Sequence, residues 1–302
     1  MRRLTRGGIL AFLVLAYAAG MLVQQGAAAQ QPGANQPPAP LPNLIKVRDD
    51  VYVIQNQNHL VSEIGQNGGN VTIYVTNEGV ILVDSKFERM HDDIIAKVKS
   101  VTNQPIRYMI LTHSHGDHSG GSARLQALGV NVVSSVGTRQ NMARTNAPGA
   151  AHVTFDGYGQ MFLGGKELQL REYRGHTRGD TLISLPAARI AIGGDLVTTP
   201  DTIPTIVNYA DGGNWTDLGR SLDEIANFDF DVMIGGHGPN LTKAEFLKYR
   251  DKVNAIRERF RTLNRERPQK SAEEITQTLI KEFNWGTGPA AGNVAGMMLE
   301  LR

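Results

Sequence analysis

Thr112-His113-Ser114-His115-Gly116-Asp117-His118 places three histidines and an aspartate within six residues, directly behind the apolar run Tyr108-Met109-Ile110-Leu111. The chain of 302 residues has only eight histidines, so this density calls for a chemical reason. Imidazole and carboxylate are the ligands that borderline divalent ions such as zinc prefer. A catalytic ion in tetrahedral geometry takes about three protein ligands and keeps one position for water. Four ligand-type side chains on one loop exceed that need. Two more histidines in similar settings, His176 and His237, point to a site for two ions.

The same setting recurs along the chain. Ile81-Leu82-Val83 runs into Asp84, and Ile190-Ala191-Ile192 passes through Gly193-Gly194 into Asp195. Val232-Met233-Ile234 passes through Gly235-Gly236 into His237. Short continuous apolar runs read as strands buried on both faces. Each delivers a ligand-type residue at its C-terminal end, and glycine pairs let the backbone turn sharply and approach closely. His176 follows the alternating strand Glu167 to Tyr173. Polar residues converging from several strand ends predict one site at one edge of the sheets.

The ordered set Asp84, His113-x-His115-x-Asp117-His118, His176, Asp195 and His237 resembles the five motifs of the metallo-β-lactamase fold superfamily, over roughly residues 50 to 240. The resemblance implies an α/β fold, a four-layer αββα sandwich of two mixed β-sheets with helices outside. It implies that His113, His115 and His176 bind a first metal and Asp117, His118 and His237 a second, with Asp195 bridging both. Asp117 and Asp84 are then the carboxylates of the catalytic machinery, Asp84 orienting the histidine loop from behind. The implied cofactors are two divalent ions, zinc by default, although iron and manganese accept the same ligands. Ions so bridged sit about 3.5–4 Å apart and bring the pKa of a shared water toward about 7. The hydroxide so formed attacks a carbonyl. Two ions outweigh Asp117, Asp195 and a hydroxide in charge, which favours anionic or carbonyl-rich small molecules as substrates.

Branches of the superfamily differ at the bridging position. In β-lactamases with a zinc-bound cysteine, that cysteine stands where Asp195 stands, often with a lysine three residues on. Here that third residue is Thr198, and the chain has no cysteine at all. An all-histidine β-lactamase branch usually carries serine at the Asp195 position. The aspartate is more like the thioesterases and lactonases, so an ester, lactone, thioester or amide carbonyl is the expected target, with β-lactam turnover as the alternative. Two further alternatives are a mononuclear iron enzyme that oxidises sulfur compounds and a non-catalytic metal-binding accessory protein.

The remaining sequence bounds location and partners. Arg2, Arg3 and Arg6, an apolar stretch from Ile9 to Val23 and Ala27-Ala28-Ala29 form the pattern of a secretory signal peptide over 1–29. Residues 30–45, with five prolines before Asn43, read as an extended linker, and 46–302 as the hydrolase domain. The expectation is a periplasmic or secreted protein without a stable membrane anchor. The full chain has 31 basic and 29 acidic residues, and the leader holds three of the arginines. Near-neutral charge offers no footprint for nucleic acid. Without disulfides, the core must stabilise the exported chain.

The coarse pattern predicts strands near 51–55, 71–76, 79–83 and 107–111, a helix near 89–101, and a mostly β stretch over 160–193. Asn214 with Asp217 starts a helix, and Thr242-x-x-Glu245 and Ser271-x-x-Glu274 read as capping boxes opening two more. Loops 56–70 and 198–213 are expected to shape specificity. His59, His91 and His152 match no motif and read as surface or loop residues.

Overall fold

A computed structural model describes residues 37–198 and 207–301. The expected leader, the first part of the linker and residues 199–206 of the second specificity loop lie outside the described residues. The first half runs β1 (Asn43–Arg48), β2 (Val51–Gln55), α1 (Val61–Asn67), β3 (Val71–Thr76), β4 (Gly79–Val83), α2 (His91–Val101) and β5 (Ile106–Ile110). Then come α3 (Gly116–Ser119), α4 (Ser122–Ala127), β6 (Asn131–Ser135), α5 (Val136–Arg144) and β7 (Val153–Phe155). The second half runs β8 (Tyr158–Leu163), β9 (Lys166–Tyr173), β10 (Asp180–Leu185), β11 (Ile190–Gly194), α6 (Trp215–Ile225), β12 (Val232–Gly235) and β13 (Leu241–Thr242). It closes with α7 (Lys243–Arg265), α8 (Ala272–Phe283) and α9 (Thr287–Glu300).

Both sheets are mixed. The first keeps chain order from β1 to β7, antiparallel up to β4 and parallel across β4, β5, β6 and β7. The second runs β13-β12-β11-β10-β9-β8, with β11 and β12 as its parallel pair. Period-two alternation sorts the strands' apolar side chains into layers. On β4, Ile81 and Val83 join a core with Ile183, Ile192 and Ile234 of the facing sheet. Val80 and Leu82 point the other way, against Ile94 and Val98 of α2 and Leu125 of α4. A third apolar layer packs Leu182, Ala191 and Met233 under Trp215, Phe246, Phe260 and Leu279 of the C-terminal helices. Three apolar layers separate four layers of secondary structure, as the resemblance implies.

The predicted capping boxes are present at Thr242 with Glu245 and at Ser271 with Glu274. Three details differ from the sequence reading. Asn43 to Ile45, expected in the linker, pair with β2 as the start of β1. The loop at 56–70 contains the helix α1, whose first turn is held by Glu63 accepting from the backbone N–H groups of Asn58 and Leu60. His91 is buried at the start of α2 rather than on the surface.

Candidate metal centre

The parallel strands of each sheet end at one edge, and the ligand-type residues follow them there. Asp84 comes directly after β4, Thr112 and His113 after β5, Asp195 after β11 and His237 after β12. The backbone at Asp84 takes a positive φ of 65°, a conformation rare outside glycine, asparagine and aspartate. That turn aims its carboxylate across the sheet edge. One oxygen accepts from Thr112 N at 2.8 Å, and the other from Thr112 Oγ1 at 2.7 Å and from His118 Nδ1 at 2.8 Å.

Those bonds orient two imidazoles. His118 donates its Nδ1–H to Asp84, so its Nε2 faces the centre. The single Thr112 hydroxyl proton goes to Asp84, so Oγ1 accepts from His113 Nδ1 at 3.1 Å. The His113 Nε2 lone pair then faces the centre as well.

Ligand atoms fall into two groups, each within 4.8 Å: His113, His115, His176 and Asp195, and Asp117, His118 and His237. Asp195 stands between them. Its Oδ2 lies 3.5 Å from His176 Nε2 and 3.9 Å from His113 Nε2. Its Oδ1 lies 3.3 Å from His118 Nε2 and 3.4 Å from His237 Nε2. Asp117 closes the second group at 3.2 Å from His237 Nε2 and 3.6 Å from His118 Nε2.

The cluster is packed tightly from behind. A Cβ on Gly236 would collide with Asp195 Oδ1, and one on Gly69 with the His118 ring, so backbone must pass where side chains cannot. Lys86 is fully buried nearby, donating to Gly69 O at 2.5 Å and to Asn56 Oδ1 at 3.4 Å. With Gly69 N donating to Asp117 O and Asn70 N to Gly236 O, it ties the 56–70 segment to the ligand loops. The edge of the expected linker is fastened to this segment, since Asn67 Nδ2 donates to Pro40 O and Ala39 N to Gln66 Oε1.

The electrostatics fit cations. Burial opposes charge on every member, yet Asp195 and Asp117 outweigh it at His118, holding that imidazole well above its usual range. Burial is likewise overcome at His237, pushed up to about 9 by Asp195 and Asp117. In return the two histidines hold both carboxyls well below the usual range against burial. His113, with burial and the His118 charge acting together, sits well below the usual imidazole value. Buried His113 Nε2 and Asp195 Oδ1 have no hydrogen-bond partner. Facing nitrogens approach to 2.9 Å between His115 and His176 and to 3.2 Å between His118 and His237. Convergent lone pairs and unpaired buried atoms are what metal ions would satisfy.

All eight residues predicted from sequence converge on this edge. The sequence reading singled out Asn208 in the loop expected to shape specificity, and missed Lys86, Thr112 and Asp211. Asn208 Nδ2 and Asp211 Oδ2 both reach His115 Nε2, at 2.9 and 2.8 Å.

A family profile described as the metallo-beta-lactamase superfamily matches residues 64–237, more than half of the chain. The chain belongs to the metallo-beta-lactamase superfamily. Its homologues and structural neighbours are hydrolases of that superfamily. It is 28% identical over 163 residues to a metallo-beta-lactamase type 2 of Elizabethkingia meningoseptica, a stretch covering 52% of this chain and 63% of that protein. A beta-lactamase-like protein 2 homolog of Caenorhabditis elegans is 26% identical, with 78% of this chain and 81% of that one covered. Among solved structures, a metallo-beta-lactamase from Pontibacter korlensis superposes with a TM-score of 0.63 at 23% identity, covering 70% of this chain and 99% of that one. The FIM-1 metallo-beta-lactamase of Pseudomonas aeruginosa, in its mono-zinc form, gives 0.61 at 22% identity, with 72% and 97% covered. At these identities the structural likeness establishes the superfamily's fold and leaves the reaction to the site.

Proposed function

We propose that this chain is an exported, dinuclear zinc-dependent hydrolase of ester, lactone, thioester or amide carbonyls. The observation that carries the reading is Asp195, whose two oxygens face the two ligand groups separately. His113, His115 and His176 would hold the first ion, Asp117, His118 and His237 the second, and Asp195 both. Ions bound there supply an acidified water as nucleophile and Lewis-acid stabilisation of the developing oxyanion.

The chain's own residues supply the rest. Asp84 keeps the His118 proton on Nδ1 and, through Thr112, the His113 proton on Nδ1, so neither imidazole is free to rotate or change tautomer. Asp117 has a side chain 20% exposed, against 9% for Asp195. It is the ligand carboxylate able to pass a proton between the cluster and solvent. The 56–70 segment, fixed by Lys86, stands beside Asp117 and lines the approach for a small substrate. Anionic substrates fit a centre whose ions outweigh its carboxylates. The leader pattern supports export, and no helix among the described residues is long and apolar enough to cross a membrane.

A second reading, β-lactam hydrolysis, draws on the relatives named metallo-beta-lactamase type 2. Against it stand the lack of any cysteine in the chain and Thr198 in place of a lysine. A panel of a β-lactam, an acyl-homoserine lactone, a thioester and an aryl ester, run on zinc-loaded wild type and Asp195→Ala, separates the two. Preferential Asp195-dependent turnover of a lactone, thioester or ester supports the first reading. Preference for the β-lactam supports the second. Silence across the panel from a fully metallated protein contradicts both.

A further inference from the structure

Asp211 lies 96 residues from His115 in sequence, in a turn near the end of the second specificity loop. Its Oδ2 is 2.8 Å from His115 Nε2. Asn208 Nδ2 lies 2.9 Å from the same nitrogen, but it also has Asp211 Oδ2 to donate to at 2.8 Å. Protons are therefore placed consistently when His115 carries its hydrogen on Nε2 and both groups donate to the carboxylate. The other ring nitrogen, Nδ1, is then a lone pair facing His176 Nε2 at 2.9 Å.

Asp211 is itself held from three sides. The Arg144 guanidinium at the end of α5 pairs with Oδ1. Asn141 Nδ2 donates to the Asp211 backbone carbonyl at 3.0 Å, as does Arg178 N at 2.9 Å. Asn208 N donates to His176 O at 2.8 Å, and Asn214 N to Gly175 O at 3.0 Å. The segment from Asn208 to Asn214 thus straps the His176 loop to His115. It does for His115 what Asp84 does for His118.

We infer that Asp211 is a positioning carboxylate for the first metal: it accepts the hydrogen bond of His115 Nε2–H and so turns Nδ1 toward His176. This rests on the proposal that His115 is a metal ligand. Partners of this kind on ligating histidines typically change metal affinity 10–100-fold when removed.

The test uses the full chain in a His237→Ala background, where the second group has lost a ligand and a single ion reports on the first. Zinc affinity is measured by competition with a chromophoric chelator, and the Co(II) ligand-field spectrum is recorded alongside. Asp211→Ala is expected to weaken binding about 10–100-fold and to shift the Co(II) bands. Asp211→Asn, whose amide oxygen still accepts a hydrogen bond, is expected to lose less, and it decides the question if the alanine variant does not fold. Unchanged affinity and spectrum in a folded Asp211 variant, with only a lower unfolding midpoint of the metal-free protein, would assign a merely structural role and overturn the inference. If the parent His237→Ala and wild-type proteins bind no zinc, the metal reading falls and takes this inference with it.

Discussion

At the scale of single residues, the centre is organised by protons as much as by ligands. Asp84 accepts three hydrogen bonds while buried. Asp84→Ala leaves Thr112 N and His118 Nδ1 without an acceptor, and each such loss costs about 1–3 kcal/mol. Urea unfolding of the metal-free protein should therefore show destabilisation of roughly 2–6 kcal/mol. Lys86 makes a different prediction. Burial lowers its pKa from 10.5 to about 7, so between those values the unfolded chain binds a proton that the folded chain does not. Stability of the metal-free protein should rise with pH across that window, with up to about 1.4 kcal/mol per pH unit from this group. Unfolding midpoints at pH 7.5 and 9.5 should differ less in Lys86→Met, and an unaltered slope would count against a buried lysine that gives up its proton in the folded chain. The candidate ligands were legible in the sequence because histidine and aspartate directly after apolar strands have few other reasons to be there. Asp211, Lys86 and the contact of Asn208 with His115 were not, because nothing near them in sequence reveals partners that folding brings from far along the chain.

At the scale of elements, the strands near 51–55, 71–76, 79–83 and 107–111 and the capped helices followed from their patterns, while β6, β7, α1, α5 and α9 did not. The α1 segment, Val61-Ser-Glu-Ile-Gly-Gln-Asn67, is short and polar, and depends on Glu63 holding its first turn. The α9 segment carries Gly288, Gly292, Gly296 and Pro289, residues of poor helix propensity. Tertiary contacts override that propensity. Val294 and Met297 are buried in the third apolar layer, and Asn293 Oδ1 accepts from Trp215 Nε1 and Val207 N. Glu300 accepts from the N–H groups of Trp215 and Thr216 at the start of α6 and from the Tyr209 hydroxyl. A carboxylate there satisfies orphan donors and the positive end of the helix dipole. Glu300→Ala should cost about 2 kcal/mol by urea unfolding. A loss below measurement error would mean that α9 does not brace α6.

At the scale of the whole molecule, two sheets present their parallel strand ends at a common edge, and neither sheet alone carries a complete ligand group. Asp84 and the 113–118 loop come from the first sheet; His176, Asp195 and His237 come from the second. Metal binding should therefore clamp the two halves together. Zinc at about 100 times its dissociation constant should add about 2.7 kcal/mol, raising the melting midpoint by roughly 5–10 °C for a domain of this size. A chelator should reverse that shift. The most direct measurement is anomalous scattering at the zinc edge from crystals of the zinc-loaded protein. Two peaks about 3.5–4 Å apart, one on each side of the Asp195 carboxylate, are predicted. A single peak, or two that do not share Asp195, would contradict the dinuclear centre.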